Sequence, residues 1–591
     1  MRFTKVAALT AAGVTAVSLA ACSSGGPSQE GSPGGNDNNT AAKAQTSAAV
    51  AAQNPDLKGP APEVKGAKKG GTLYIDDSSN PPTMDPAGIY YTDSNAFSSQ
   101  YLFRTLTQYK IVDGKPVLVP DLAENVGEPS ADGLTWKFKI RPGLKYSDGS
   151  PVKIEDFVYG IKRSFAKESV GANGTGYQME YLKGGDTYKG PYKQPDADFP
   201  GVSTEGDNTL VFHLAKKVPS FNYFASFPEF TPVPKAKDTK SKYQMNPLTT
   251  GPYKVQTFTK GQKMVLVRNT NWAPGSDPVR HAYPDKIQIN FSIENLPSQQ
   301  RILANSGVGA NSLNIGAIDA SLASKVTGAQ KNQFAIGPSS CEFFVEIDSR
   351  KVPLDIRKAI GYAWPFNQIR KAAGLSTLNY QPATTFAAPS LQGYKKYPPL
   401  PYATGEGNGD PAKAKAILKK ANKLGFELSY YYRSDQPNVV NANNARKAGL
   451  KAAGFKIKDI PVSTAEFTKK ISDPKAPVNM GQGTPGWCYD WPTGDSQYPP
   501  LFNGAGISDG LSVGQFKNAA VNKKMDAISA MDPADAAPKW AELDKELMTK
   551  YVPSLPDNYS MNTATFGKNV KNVELNPILS MPSLSQLWVS S

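Results

Sequence analysis

The stretch that decides the fold lies between residues 132 and 165, and it opens with Asp132-Gly133-Leu134-Thr135-Trp136-Lys137-Phe138-Lys139-Ile140-Arg141-Pro142-Gly143. Apolar and charged residues alternate from Trp136 to Ile140, and this alternation predicts a half-buried strand. The turn residues Tyr146-Ser147-Asp148-Gly149 come next. One face of a helix is then indicated by the spacing of Ile154, Phe157, Val158, Ile161 and Phe165. The sequence therefore predicts a strand, a turn and an amphipathic helix in succession.

Elements of both kinds occur along the rest of the chain. Thr72 to Ile75 predicts a strand. Asp410-Pro411 predicts a helix that runs to about Leu424, because aspartate caps the first turn and proline fits its first position. Apolar residues between Trp540 and Leu547 indicate another helix. Strands and helices mixed in this way predict the α/β class.

The composition is that of a folded protein with several domains or lobes. The chain has 591 residues, of which 39% are hydrophobic and 20% charged, so two to four packed units are expected. It has only two histidines, His213 and His281, and three cysteines. This excludes most metal sites built from histidine and cysteine and leaves few candidates for a general base, so no cofactor and no metal are expected.

The N-terminus has the features of an export signal. Arg2 and Lys5 precede a small, apolar run that is too short to span a membrane comfortably. The run ends in Leu19-Ala20-Ala21-Cys22, which resembles the lipobox of bacterial lipoproteins. The resemblance implies a signal peptide over 1–21 and a lipid on Cys22 that anchors the protein to the outer face of the cell membrane. The alternative is an ordinary signal peptide with a cysteine there by chance.

A tether is predicted between Cys22 and Gly70. Small and polar residues dominate this stretch, and it has almost no large apolar side chain to bury. A flexible coil of this length reaches roughly 40 Å. The net charge of +15 comes from scattered residues, without a basic stripe between stacking aromatics, so nucleic acid is not an expected partner. Attraction to an anionic cell surface and an ordinary solvated surface both remain open.

Several blocks resemble one family in the same order along the chain. The stretch around Trp136 resembles a block of the large extracytoplasmic solute-binding proteins that serve peptide and nickel ABC importers. Three further blocks resemble that family, namely Met84-Asp85-Pro86, Thr250-Gly251-Pro252-Tyr253 and Pro353-Leu354-Asp355-Ile356-Arg357-Lys358-Ala359. The last block departs from the family pattern, since Pro365-Phe366-Asn367 replaces the usual aspartate after the helix.

The resemblance implies an architecture for residues 71–591. Two lobes are joined by two crossover strands, the ligand lies between them, and closure is a hinge motion. This is a two-lobe, periplasmic-binding-protein-like fold of the large peptide-binding class, with an extra subdomain in the first lobe. The expected bounds are 71–96, 205–337 and 556–591 for the first lobe, 97–204 for the inserted subdomain and 338–555 for the second lobe.

The cysteines that remain after Cys22 are Cys341 and Cys488. Two leftover cysteines in an exported protein tend to pair, and the alternative is two buried free thiols. The segments around both cysteines resemble segments of the oligopeptide-binding members, in which the equivalent cysteines form a disulfide. The resemblance therefore implies a Cys341–Cys488 bond that holds the backbone beside Asp490.

The same resemblance implies the ligand site. Gly486-Trp487-Cys488-Tyr489-Asp490 matches the segment in which peptide-binding members place an aspartate against the ligand's α-ammonium, so Asp490 is the expected anchor. Trp487 would form a wall, and the backbone of 486–488 would pair with the ligand as an added strand. Tyr90, Tyr91 and Thr92 would supply partners from the first lobe, although both tyrosines could equally be core. Some members carry an arginine where Thr484 stands, so the far end of the ligand is not assigned.

One short motif favours an enzymatic role over a binding role. Gly510-Leu511-Ser512-Val513-Gly514 fits a hydrolase pattern, but that site needs a later histidine and both histidines precede Ser512. The family resemblance implies instead a non-enzymatic, monomeric subunit that delivers peptides to ABC permease and ATPase subunits. The alternatives are the same fold with a non-peptide solute, or a peptide-sensing receptor lipoprotein.

Overall fold

The computed structural model describes residues 52–170, 174–195, 198–482, 485–507 and 512–590. Residues 1–21, Cys22 and the first part of the predicted tether lie outside the described residues. Thr484, Gly510 and Leu511 lie outside them as well. In the part of the chain that is described, no helix is long and apolar enough to cross a membrane.

The strands are β1 Ala52–Gln53, β2 Thr72–Asp76, β3 Thr107–Val112, β4 Lys115–Pro120, β5 Glu128–Pro129, β6 Thr135–Lys139, β7 Val202–Glu205, β8 Thr209–His213, β9 Tyr253–Thr259, β10 Lys263–Arg268, β11 Lys286–Asn290, β12 Ser312–Asn314, β13 Phe334–Glu346, β14 Tyr380–Pro382, β15 Glu427–Arg433, β16 Lys456–Val462, β17 Gly486–Cys488, β18 Ser554–Phe566, β19 Val570–Lys571, β20 Leu575–Asn576, β21 Met581–Pro582 and β22 Trp588–Val589.

The α-helices are α1 Thr92–Phe97, α2 Ile154–Arg163, α3 Lys167–Val170, α4 Tyr177–Tyr181, α5 Phe221–Phe224, α6 Asn295–Leu303, α7 Ala323–Thr327, α8 Leu354–Ala363, α9 Phe366–Ala372, α10 Pro411–Lys420, α11 Pro437–Ala452, α12 Thr464–Ser472, α13 Tyr498–Phe502, α14 Ala519–Ser529 and α15 Pro533–Glu546.

The largest sheet has the strand order β17-β13-β18-β12-β2-β11-β10-β9, with β14 beside β18. Its two longest strands, β13 and β18, have 13 residues each and run antiparallel. Opposite ends of β18 contribute to different hydrophobic cores, since Ala564 packs in one and Leu555 in another. The two strands therefore run between these two cores, while a third core takes side chains from both predicted lobes, among them Trp136 and Trp487.

The quoted stretch folds as its pattern predicts. β6 buries Trp136 and Phe138 and exposes Lys137 and Lys139. It lies in a four-stranded sheet with the order β5-β6-β8-β7. Helix α2 packs its apolar face into the same core, through Ile154, Phe157 and Ile161. The periodicity of 2 in the strand and of 3.6 in the helix follows from one face of each element being buried.

Helix α10 also forms where the sequence predicts, but it ends early. The Asp410 side chain accepts a hydrogen bond of 2.9 Å from the backbone N–H of Lys413, so this aspartate is the N-cap. The helix ends at Lys420 rather than near Leu424. Asn422 has a φ of 52°, and a left-handed residue of this kind terminates a helix.

The prediction that the tether extends to Gly70 is wrong for its described part. Ala52 and Gln53 pair in parallel with β4, and the N–H groups of Ala61 and Gly70 donate to the carbonyls of Asp277 and Tyr283, at 2.7 and 2.9 Å. Composition predicted no folding here because there is little apolar surface to bury. The segment is held instead by backbone hydrogen bonds to exposed strand and loop edges, and composition does not report these.

Candidate functional site

The segment that carries the predicted site is the terminal strand of the large sheet. β17 pairs antiparallel with β13, so that Cys488 lies opposite Cys341 and Gly486 lies opposite Phe343. A disulfide joins Cys341 to Cys488, at the position where the sequence predicts one. The bond closes a long loop and fixes the register of the short strand at the edge of the sheet.

Gly486 is required by its neighbours on β13. A Cβ atom at this position would lie 2.7 Å from the Phe343 ring and 2.8 Å from the carbonyl oxygen of Glu342. Real Cβ contacts do not approach so closely, so the close approach of the two strands depends on glycine. The aromatic ring of Phe343 is 42% exposed and covers this strand.

Asp490 follows β17 and is held by two tyrosines from a distant part of the chain. Its Oδ2 atom accepts hydrogen bonds from the hydroxyl of Tyr177, at 2.5 Å, and from that of Tyr90, at 3.3 Å. Burial raises the pKa of Asp490 to about 7, and the two hydroxyl donors oppose this rise. A cation beside this carboxyl group would favour its ionised form and lower its pKa.

Tyr177 is a candidate site residue that the sequence reasoning missed. It is the first residue of α4, and its ring packs against Trp491 and Phe224, with centroid distances of 4.7 and 5.5 Å. The one available signal was the pair Tyr177 and Tyr181, four residues apart, whose rings contact at 5.4 Å. That signal indicates a helix face and does not say that Asp490 lies across from it.

The other predicted ligand residues differ in their exposure. The Trp487 indole is 8% exposed and donates to the carbonyl of Ser496 at 2.9 Å, so it packs into the hydrophobic core. The ring of Tyr489 is also in that core, and its hydroxyl donates to the Ser390 carbonyl at 3.3 Å. Contact of either ring with a ligand stays a prediction.

On the other side of the site, Tyr90 is partly buried and packs against the same core. Tyr91 is 52% exposed, so its interpretation as a core residue is wrong. Thr92 is half-buried and begins α1. Their contacts with a ligand also stay predictions.

The hydrolase pattern does not assemble a catalytic pair among the described residues. Ser512 is buried, and it precedes a short 3-10 turn over Val513–Gln515 rather than a helix. The ring nitrogen of His213 contacts the hydroxyl of Ser203 at 2.9 Å, and that of His281 contacts the carbonyl of Pro62 at 3.0 Å. Both histidines therefore have partners far from Ser512 in the sequence.

The mixed α/β fold, with its pair of long antiparallel strands and a polar site beside them, matches the two-lobe class of solute-binding proteins. The chain belongs to the bacterial extracellular solute-binding proteins of family 5, because the sequence model described as "Bacterial extracellular solute-binding proteins, family 5 Middle" matches residues 117–509. The homologues are substrate-binding proteins, which points to a protein that is not an enzyme.

Relatives of this chain include proteins named for peptide binding. The periplasmic oligopeptide-binding protein OppA of Escherichia coli is 23% identical over 498 residues, which cover 80% of this chain and 85% of that protein. The oligopeptide-binding protein OppA of Bacillus subtilis is 25% identical, over 66% of this chain and 68% of that protein.

Solved structures support the two-lobe fold. The clavulanic acid biosynthesis oligopeptide binding protein 2 superposes with a TM-score of 0.78 at 24% identity, over 89% of this chain and 96% of that one. The periplasmic binding protein DppA from Helicobacter pylori, in complex with the peptide STSA, gives a TM-score of 0.67 at 17% identity, over 89% and 99%. The predicted fold class is confirmed.

Proposed function

We propose that this protein is the membrane-anchored solute-binding component of an ABC importer, and that it captures peptides by their amino end. The observation that carries this proposal is the pair of hydroxyl donors on Asp490, whose pKa is raised to about 7. A peptide's α-ammonium is a better partner for the ionised carboxylate than either phenol, because donor and acceptor then carry opposite full charges and attract each other more strongly in a buried site. The names of the relatives OppA and DppA agree with a peptide ligand.

The edge position of β17 supports the proposal for the ligand backbone. A strand at the end of a sheet can add an extended peptide as the next strand, with the sheet supplying main-chain hydrogen bonds. The disulfide to β13 keeps this edge in register while the ligand enters and leaves. Side-chain preference is then set by the surfaces around the added strand, among them the exposed ring of Phe343.

The test is calorimetry on Asp490→Asn with a peptide that binds the wild type. We expect a loss of about 2–5 kcal/mol, which is roughly 30-fold to several-thousand-fold in affinity, because one partner of a desolvated charge pair is removed. An N-acetylated form of the same peptide has no α-ammonium and should bind wild type poorly, with little further loss on mutation. Binding of the free peptide within twofold of wild type would reject Asp490 as the anchor.

The anchoring part of the proposal concerns Cys22, outside the described residues. We propose residues 22–51, which precede the first described strand, as the link between this cysteine and the folded part of the protein. Cys22→Ala should move the protein from the membrane pellet to the soluble fraction. Retention in the pellet would reject the lipid anchor and would leave peptide binding untouched.

For the lobes we propose the bounds 338–555 for the second lobe and the flanking segments for the first, with 97–204 as the inserted subdomain. Support comes from β13 and β18, which contribute to separate cores at their two ends. Rotation about these two strands would open the contact between Tyr177 and Asp490 and admit the ligand.

A further inference from the structure

The positive charge is less evenly scattered than the sequence analysis states, because a large share of it lies in one part of the predicted second lobe. Between residues 411 and 475 the sequence has twelve lysines and two arginines against five acidic residues, whereas the net charge of all 591 residues is +15. This segment contains α10, β15, α11, β16 and α12. An ordinary solvated surface mixes both signs, so an excess of nine positive charges in 65 residues needs a further explanation.

Five of these lysines gather around the contact between two loops. The N–H of Gly425, after α10, donates to the carbonyl of Gly454, after α11, at 2.9 Å. A Cβ atom at Gly454 would lie 3.8 Å from the Cγ atom of Lys415, and one at Gly425 would lie 3.6 Å from the Cε atom of Lys456. The backbone carbonyl oxygen of Lys423 accepts a hydrogen bond from the N–H of Phe426.

Two more lysines border the same contact. Lys451 accepts from the N–H of Gly454 through its carbonyl oxygen. Lys419 lies four residues after Lys415 on α10 and so shares its helix face. We call the surface formed by Lys415, Lys419, Lys423, Lys451 and Lys456 the basic face.

The basic face has no compensating carboxylate at contact distance. All five side chains are exposed. Within the described part of the chain, none of them has a carboxylate oxygen within 4.0 Å. Glu427 is the residue paired with Lys456 between the parallel strands β15 and β16.

Favourable interactions with helix ends account for only part of this charge. Lys419 and Lys451 lie in the last turns of α10 and α11, where a cation stabilises the helix. Lys415, Lys423 and Lys456 have no such role, because they lie within α10, in a loop and on a strand.

The basic face also contains an exposed apolar side chain. Leu424 is 52% exposed, and its Cδ1 atom lies 2.7 Å from the position that a Cβ of Gly454 would take. Exposed apolar side chains among lysines are typical of surfaces that bind a bilayer. The ammonium groups then contact the lipid phosphates, and the apolar side chain lies at the boundary of the acyl chains. A binding site for soluble anions would typically be a concave pocket, whereas the five lysines and Leu424 are all exposed.

We propose that the basic face docks on the headgroups of anionic phospholipids, so that the second lobe rests on the outer surface of the membrane. This inference rests on the proposed anchoring only for bringing the protein close to lipid. Each lysine near an anionic bilayer increases the affinity about fivefold, which corresponds to about 1 kcal/mol of binding free energy. The attraction weakens at high salt, because exposed charges are screened within about 10 Å at 0.1 M.

The experiment measures co-sedimentation of the chain from residue 22, carrying Cys22→Ser, with vesicles of phosphatidylglycerol and phosphatidylcholine. The triple variant Lys415→Gln, Lys423→Gln and Lys456→Gln should bind roughly a hundredfold more weakly. The matched control is Lys260→Gln, Lys325→Gln and Lys331→Gln, which removes the same charge from exposed lysines elsewhere and should bind within a few-fold of the parent chain.

Binding should also disappear with pure phosphatidylcholine and at 0.5 M salt. Equal losses in the two triple variants would overturn the proposal, because only net charge would then matter. Soluble polyphosphate that binds as tightly as the vesicles would overturn the assignment to lipid. Circular dichroism and peptide affinity should be unchanged in both variants, so a failure here leaves the proposed peptide function intact.

Discussion

The hydroxyl of Tyr177 donates a hydrogen bond of 2.5 Å to Oδ2 of Asp490 across 313 residues of sequence. Tyr90 donates to the same oxygen from a third part of the chain. The contact joins the predicted inserted subdomain to the predicted second lobe. Two phenols therefore take the place that we assign to a ligand's ammonium group, and they hold a carboxyl group whose pKa is raised to about 7.

The first prediction concerns pH. A peptide's ammonium needs the ionised form of Asp490, and the free protein has that carboxyl half-protonated near pH 7. Affinity should therefore fall by up to tenfold for each pH unit below 7, and it should fall again above about pH 8, where the peptide's own α-ammonium loses its proton. Calorimetry at pH 5.5, 6.5 and 7.5 measures this slope.

Asp490→Asn is the control for the pH experiment. The amide does not titrate, so the peptide affinity of the variant should depend less on pH. Glu229, whose pKa burial also raises to about 7, accounts for any slope that remains in the variant. A wild-type affinity that does not change between pH 5.5 and 7.5 would contradict the prediction.

The second prediction concerns closure without ligand. Tyr90→Phe combined with Tyr177→Phe removes both donors and leaves a buried carboxyl group without a partner, which costs about 1–3 kcal/mol. The ligand-free protein should then open, and small-angle scattering should give a larger radius of gyration than for wild type. Saturating peptide should restore the compact form in both proteins.

Tyr159→Phe is the matched control for the closure experiment. Its hydroxyl donates to Asp238 at 2.8 Å, within the predicted inserted subdomain and its flank, away from Asp490. It should leave the radius of gyration unchanged. If the double variant scatters like wild type, the tyrosine contacts do not hold the lobes together in solution.

The third prediction concerns Gly486. Gly486→Ala places a methyl group 2.7 Å from the Phe343 ring, and the strands β17 and β13 must separate to accept it. We expect a destabilisation of about 1–3 kcal/mol in urea unfolding, as for overpacked sites, together with weaker peptide binding. Gly275→Ala is the control, because a Cβ there meets nothing within 4 Å. Wild-type stability and affinity of Gly486→Ala would show that this edge adapts freely.

The fourth prediction concerns the aspartate of Met84-Asp85-Pro86. Oδ2 of Asp85 accepts from Nη2 of Arg163 at 2.7 Å, and both side chains are fully buried. Asp85→Asn should cost about 3 kcal/mol in the free energy of unfolding, the lower end for breaking a buried pair, because Asp238 still contacts Arg163 at 3.1 Å. The exposed pair of Lys137 and Glu205 supplies the control, since Glu205→Gln should change stability by less than about 1 kcal/mol. If Asp85→Asn and Glu205→Gln lowered the free energy of unfolding equally, burial of the ion pair would not determine the cost of breaking it.

The sequence by itself determined the features that repeat over short distances. The alternation from Trp136 to Ile140 and the spacing from Ile154 to Ile161 report which side of each element meets the core, so β6 and α2 form where the pattern predicts. The resemblance of the segment from Gly486 to Asp490 likewise located the disulfide and the candidate anchor.

Only the tertiary structure decided which distant groups meet. Nothing near Tyr177 in the sequence states that its hydroxyl reaches Asp490, because that contact depends on how α4 and β17 are placed by hundreds of intervening residues. The segment from Ala52 to Gly70 was misjudged for the same reason, since its partners on β4 and near Tyr283 are backbone groups without a signature in composition. Local periodicity is set by burial along one element, whereas these contacts are set by the packing of the whole chain.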